Sequence, residues 1–251
     1  MRAMKTCIVT GAASGIGLAT TRVLLDHGWQ VAGFDRDAKA LAEAAIALAP
    51  RAVSWHRVDI TDETAVAAIV RQLDETDDGV TGLVNCAGVG IAKRFVDTTV
   101  DDLRRMFEIN LIGSFVVARA VVRALQAAQR KGAIVNLAST AGQQGNLERT
   151  AYGSAKGAVI VMTQVMAVEL AADGIRVNAV SPGPVATPLV DAMHTDAMRA
   201  RWTALVPQRR YAEPREIAEA IAFLLDDAKA SFVTGHVLNV DGGLMAAGLM
   251  P

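Results

Sequence analysis

The chain has 251 residues, 25 Lys plus Arg against 26 Asp plus Glu, a formal net charge of −1 and 52% hydrophobic residues. That balance, with no long basic run, gives no support to nucleic-acid or membrane-surface binding, and the length suits one α/β domain over residues 1–251. Cys7 and Cys86 lie in apolar strand-like runs and read as reduced core thiols, which makes the cytoplasm the expected compartment. The apolar run after the basic start is too short for a signal peptide, and no stretch is expected to reach the roughly 18 apolar residues of a membrane span.

Short β-rich runs alternate with longer helical patterns, which predicts a single-domain, Rossmann-like doubly wound sheet of seven mainly parallel strands with helices on both faces. The strands are expected at about 5–10, 30–35, 52–58, 82–86, 133–138, 175–181 and 236–240. The first runs into Thr10-Gly11-Ala12-Ala13-Ser14-Gly15-Ile16-Gly17, and a helix follows from near Gly15 to Gly28. Glycines there let the backbone turn tightly against phosphate oxygens, and the helix N-terminus adds unpaired amides and a favourable dipole. Gly11, Ser14, Gly15, Ile16 and Gly17 are therefore expected at a dinucleotide pyrophosphate.

Asp35 closes the second strand, where a carboxylate accepts hydrogen bonds from the adenosine ribose and repels a 2′-phosphate, favouring NAD over NADP. Arg36 beside it is a guanidinium able to reach a 2′-phosphate if Asp35 turns away. Asp59 and Ile60 follow the third strand, Asp59 either contacting the adenine or capping the helix that opens near Thr61-Asp62. Asn85, Ala87 and Gly88 end the fourth strand with small residues outside the sheet edge, where open α/β sheets bind ligands.

A long helix is expected from about Val100 to Gln126 and another over 150–170. Both are apolar on more than one stripe, which calls for a second cover, by a partner subunit or by burial within the monomer. The favoured cover is a partner subunit laid on helices at about 100–126 and 152–171. In the second helix Tyr152 and Lys156 stand four residues apart, so phenol and ammonium share one face. A phenol ordinarily titrates near ~10, and a fixed positive charge favours its phenolate. Such a pair can take a proton from an alcohol or return one to an alkoxide. His27, His56, His194 and His236 lack ligand spacing, and no metal is expected.

Taken together these motifs resemble the short-chain dehydrogenases/reductases. The resemblance rests on TGAASGIG at 10–17, NCAG at 85–88, Asn110, the spacing of Ser139, Tyr152 and Lys156, Ser181-Pro182-Gly183 and Val233-Thr234-Gly235, and it spans essentially the whole chain. It implies Tyr152 as general acid/base during hydride transfer and Lys156 as the residue that lowers its pKa and holds the nicotinamide ribose. It implies Ser139 on the substrate oxygen and Asn110 on a water extending a proton path from Lys156. It also places Pro182, Gly183, Val185 and Thr187 on the cofactor, Val185 through its backbone at the carboxamide, and a substrate lid at about 188–212. Ala141, Gln143, Gln144, Asn146, Arg149 and Met193 are the expected substrate contacts, the amides suited to hydroxyls and Arg149 or Arg94 to a carboxylate.

The function expected from this is hydride transfer between NAD(H) and the CH–OH/C=O group of a secondary alcohol, polyol or sugar, or hydroxy acid. The alternative is an NADPH-linked 3-oxoacyl-[acyl-carrier-protein] reductase, with Arg130 where those reductases hold the acidic carrier. Ser14, Asp35 and Asp173 depart from that pattern, and an acid at 173 repels an acidic partner. A non-catalytic NAD-binding sensor or scaffold is expected to lack Tyr152 or Lys156, and both are present.

Overall fold

The computed structural model describes residues 5–75 and 79–247. In chain order, β1 (Thr6–Thr10) leads to α1 (Gly15–Asp26), β2 (Gln30–Asp35) to α2 (Ala38–Leu48), and β3 (Val53–Arg57) to α3 (Glu63–Asp74). β4 (Val80–Asn85) is followed by α4 (Val100–Phe107) and α5 (Ser114–Ala127), and β5 (Gly132–Leu137) by α6 (Thr150–Leu170). After β6 (Ile175–Pro182) come α7 (Pro188–Met193), α8 (Asp196–Leu205), α9 (Pro214–Leu225), α10 (Asp227–Ala230) and β7 (Val237–Val240). One sheet holds all seven strands in the order β3-β2-β1-β4-β5-β6-β7, and every pairing is parallel. This is the Rossmann-like doubly wound fold that the alternating pattern predicts.

Alternation along each strand explains why the central ones read as unbroken apolar runs. Ile8, Leu83 and Ile134 pack on one face with Val66, Val117, Leu125 and Ala167 of α3, α5 and α6. Cys7, Val9, Val84 and Val135 pack on the other with Leu24, Ile217 and Ile221 of α1 and α9. Helices cover both faces, so neither set of side chains is polar.

The sequence predicts one helix over about 100–126, and the structure divides it. A π-helical stretch, Glu108–Gly113, separates α4 from α5. The wider turn sets Asn110 inward, fully buried, and seats Gly113 where a Cβ would stand 2.5 Å from Ile60 Cδ1. α6 buries Ala151, Ala155, Val159, Thr163 and Ala167 at four-residue intervals, with Lys156 also inside. Its outer side exposes Val161, Val165 and Val168, while α5 and the turn before it expose Phe115 and Ile112. With both sides apolar, Thr150–Asp173 is long and apolar enough, by length and composition, to cross a membrane, contrary to the expectation that no segment would be. Here that segment packs on β5 and β6 and lends its inward face to the site described next.

Candidate active site

Strand progression reverses between β1 and β4, whose ends Thr10 and Asn85 lie in register. The loops beyond them diverge and open a cleft at the carboxyl edge of the sheet. Gly11, Ser14, Gly15, Ile16 and Gly17 form one wall; Asp35, Arg36, Asp59 and Ile60 close one end; Ala87, Gly88 and Thr187 border the other. Gly11 has φ +63°, and a Cβ on it would stand 2.9 Å from Ala87 Cα. A Cβ on Gly17 would stand 2.0 Å from the Gly11 carbonyl oxygen, so no larger residue fits there. Ser14 gives α1 no side-chain cap and its first turn holds no acid, which leaves that turn's amides and their partial positive charge for an anion.

At the far end, the Asp35 carboxylate accepts from the backbone N–H of Ala13 at 3.3 Å and of Asp37 at 3.1 Å. Asp59 accepts from the Thr61 N–H and hydroxyl, which together with the Arg36 charge hold its carboxyl below the usual range. The cap of α3 is Asp62, so that one of the two readings of Asp59 belongs to its neighbour. Val185 pairs with Ala212 in an isolated bridge, where Ala212 N–H donates to Pro184 O and Ala186 N–H to Ala212 O, each at 2.9 Å. That pattern turns Val185's own N–H and C=O to the opposite edge, without a partner among the described residues. A donor and an acceptor side by side suit a primary carboxamide. Open amides at a helix start, a fixed acid at a strand end and this pair together fit a nicotinamide dinucleotide.

Thr187 caps α7 through its hydroxyl and lays its methyl group beside Gly15. Three expected cofactor residues stand behind the cleft wall. Asn85 is buried and donates to Ser114 O and Asn136 Oδ1; Pro182 ends β6; Gly183 packs against Asp241.

Ser139, Tyr152 and Lys156 meet at the end of β5. Ser139 follows the strand, and its hydroxyl accepts from the Ala141 N–H at 3.2 Å. Tyr152 and Lys156 occupy the opening turns of α6. The Lys156 ammonium donates to the Leu137 carbonyl at 2.6 Å and lies 6.0 Å from the Tyr152 ring centre; burial pulls its pKa down to about 8. Burial pushes the Tyr152 phenol up, while hydrogen bonding with Ser139 and the charge of Arg149 act against that rise. The Arg149 guanidinium carbon is 5.8 Å from the ring centre. Arg149 is therefore a second cation at the phenol, which the Tyr–Lys spacing does not foretell. The Asn110 amide is engaged with the loop after β4: Nδ2 donates to Val89 O and Met106 O, and Oδ1 accepts from Val89 N–H.

The expected substrate residues divide. Met193 reaches the loop opposite, where a Cβ on Gly90 would stand 3.0 Å from its methyl carbon, and Arg149 donates to Ile91 O at 3.2 Å. Ala141 lies beside Ser139. Gln143 turns away, donating to Ser181 Oγ and Asn239 Oδ1, while Gln144 is exposed. Asn146 holds a buried Nδ2 without a partner among the described residues.

A family model described as Enoyl-(Acyl carrier protein) reductase matches residues 11–245. A solved oxidoreductase of the short-chain dehydrogenase/reductase family from Burkholderia thailandensis superposes with a TM-score of 0.91 at 34% identity, over 98% of this chain and 94% of that one. The chain belongs to the short-chain dehydrogenase/reductase family. It is 43% identical to the cis-4-hydroxycyclohexanecarboxylate dehydrogenase of Sinomonas cyclohexanicum, over 97% of this chain and 98% of that protein. It is 39% identical to the 2,5-dichloro-2,5-cyclohexadiene-1,4-diol dehydrogenase of Sphingobium indicum, over 96% and 97%. It is 37% identical to the 3-oxoacyl-[acyl-carrier-protein] reductase FabG of Thermotoga maritima, over 96% and 98%. ElxO, solved with NADP bound, superposes with a TM-score of 0.90 at 28% identity over 98% of this chain and 100% of that one.

As a short-chain dehydrogenase/reductase the protein is an oxidoreductase that uses a nicotinamide cofactor. Several walls of its site carry no sequence signal of their own. Phe34, Val58, Ile109 and Leu137 line the cleft as strand-end or helix residues of ordinary apolar type. His194 and Tyr211 join the site through Arg149: His194 Nε2 lies 3.2 Å from an Arg149 nitrogen, and its Nδ1 lies 2.9 Å from the Tyr211 hydroxyl. Arg130 forms an ion pair with Asp74, which commits its charge inside this chain.

Proposed function

We propose that this chain is an NAD-linked dehydrogenase of secondary alcohols, polyols or hydroxy acids, and that a hydroxy acid built on a six-membered ring is its best substrate. The observation that carries this reading is the convergence of Ser139, Tyr152 and Lys156 on a cleft whose far end holds the fixed Asp35 carboxylate. A dinucleotide held by the open amides of α1, Asp35 and the Val185 backbone would supply the acceptor for the hydride, two electrons and one hydrogen, that leaves the carbinol carbon. Tyr152, as phenolate, takes the hydroxyl proton as the C–O bond becomes C=O, and Ser139 donates a hydrogen bond to that oxygen. Lys156 favours the phenolate through its charge and holds the nicotinamide ribose. Asn110 keeps one Oδ1 lone pair beyond the bond from Val89 and holds with it a water that extends the proton path from Lys156.

The relatives that act on ring alcohols support a ring substrate. The segment 188–212 serves as the lid, its Met193 already against Gly90. The exposed valines of α6 and Phe115 of α5 support a homotetramer closed over those helices. The two free cysteines support a cytoplasmic setting. A second reading, NADPH-dependent reduction of a 3-oxoacyl thioester, draws on the 37% identical FabG, NADP-bound ElxO and Arg36. The engaged Arg130 and the acid at 173 weigh against it.

The test is an absorbance assay at the reduced-nicotinamide band with NAD and NADP in parallel. Ring hydroxy acids, secondary alcohols, polyols and a 3-oxoacyl thioester serve as substrates. Turnover of a ring hydroxy acid with NAD is the expected result, whereas NADPH-dependent thioester reduction selects the second reading. Tyr152→Phe should lower kcat by about 10²- to 10⁴-fold with dinucleotide affinity retained, and a wild-type rate in that variant would refute the assigned proton transfer.

A further inference from the structure

We propose that Arg149 is the receptor for a carboxylate carried by the substrate, aimed by His194 of the lid. This deepens the dehydrogenase reading and rests on it. Two cations near this part of the site have acids of their own: Lys93 pairs with Asp102 and Arg199 with Asp191. Arg149 has none among the described residues. Its hydrogen-bond partners are neutral, the Ile91 carbonyl at 3.2 Å and the His194 ring nitrogen at 3.2 Å. A guanidinium has five N–H donors, so several remain for a ligand, and its charge stays uncompensated in a half-buried position. Such a charge is stabilised by an anion that arrives with bidentate geometry.

The arginine is also held in place beforehand. A bridge between Lys93 and Arg149 and the bond from Lys93 N–H to Glu148 O fix its backbone across the loop that follows β4. His194 is sandwiched by Trp202, stacked at 6.3 Å, and Tyr211, edge-on at 6.1 Å. An ordered receptor loses little entropy on binding. Position decides the substrate class. With the guanidinium carbon 5.8 Å from the Tyr152 ring centre, an anion on Arg149 is one short carbon skeleton from the phenol. Ile91 belongs to the same apolar cluster as Tyr152, and Met193 lies against the neighbouring Gly90. A hydroxy acid whose alcohol and carboxylate are separated by an apolar ring satisfies both ends. Arg94, on the loop that follows β4, is exposed.

The test separates binding from turnover. Calorimetry with saturating NADH, and again with NADPH, compares cyclohexanecarboxylate with cyclohexanecarboxamide on the wild-type chain, Arg149→Met and Arg149→Lys. The wild type should bind the carboxylate about 10- to 100-fold more tightly than the amide. Arg149→Met should lose that preference, Arg149→Lys should keep part of it, and amide binding should stay within a few-fold. Equal binding of the two ligands by the wild type, or a preference that survives in Arg149→Met, overturns the proposal; the wild-type comparison needs no variant to fold. Carboxylate preference without turnover of 4-hydroxycyclohexanecarboxylate refutes the dehydrogenase reading alone. Turnover without carboxylate preference refutes the receptor alone.

Discussion

In the proposed reading, cofactor choice turns on Asp35. Its two oxygens each accept a backbone N–H, from Ala13 and Asp37, so swinging aside to admit a 2′-phosphate costs about 1 kcal/mol for each bond lost. Arg36 can answer a phosphate only after that rearrangement. Asp35→Ser should therefore raise kcat/KM with NADP relative to NAD by about tenfold or more, from removal of one like charge beside a phosphate. An unchanged ratio sinks the ribose assignment. At this scale the sequence is most legible where chemistry is local. Gly11 to Gly17 sit in one turn, and Tyr152 and Lys156 share one helix, so spacing alone brings them together. Arg149 and His194 are 45 residues apart and meet only because the chain after β6 folds back, which no local pattern records.

Among the elements, the segment 188–212 carries a dependence on pH of its own. Arg149 can only donate, so the His194 Nε2 accepts and the hydrogen bond with Tyr211 assigns the ring proton to Nδ1. Burial pulls the imidazole below its ordinary 6.5, and the charges of Arg149 and Arg199 act in the same direction. A group whose folded pKa is lowered in this way stays neutral in the fold while the unfolded chain takes up a proton. Stability is then fully present above about 6.5 and falls as pH drops from there toward the folded value. The melting temperature should decline between pH 7 and pH 5 more steeply in the wild type than in His194→Gln, and parallel curves would show that the ring does not titrate this way. Strand positions were readable to within about two residues because β1, β4 and β5 are apolar on both faces. The break between α4 and α5 was not, since the π-helical stretch depends on Asn110 meeting Val89 from another element.

On the scale of the molecule, α6 has two occupations. Its inner side holds Tyr152 and Lys156, and its outer side exposes Val161, Val165 and Val168 at 58%, 47% and 81%. Covering a valine fully is worth roughly 1.5 kcal/mol or more, so a partner laid on this face gains from each. The paired change Val165→Asp and Val168→Asp should leave the fold intact and reduce the mass seen by light scattering from that of a tetramer to a smaller species. An unaltered mass would move the interface elsewhere. The apolar excess of this helix was visible in the sequence, but the same excess also satisfies the length and composition of a membrane span. Only packing against the sheet tells which side is which.

The bridge between Val185 and Ala212 does more than free a backbone amide. It pinches the chain shut at the base of residues 186–211, so that stretch is a closed excursion leaving the sheet and returning to the same spot. Changes of length or sequence inside such a loop are felt weakly by β6 and α9, because loop closure costs rise only slowly with size. Ser139, Arg149, Tyr152 and Lys156 are anchored outside the pinch, and Met193 and His194 within it. The two sets can therefore diverge independently, and a new substrate range needs no alteration to the proton-transfer residues.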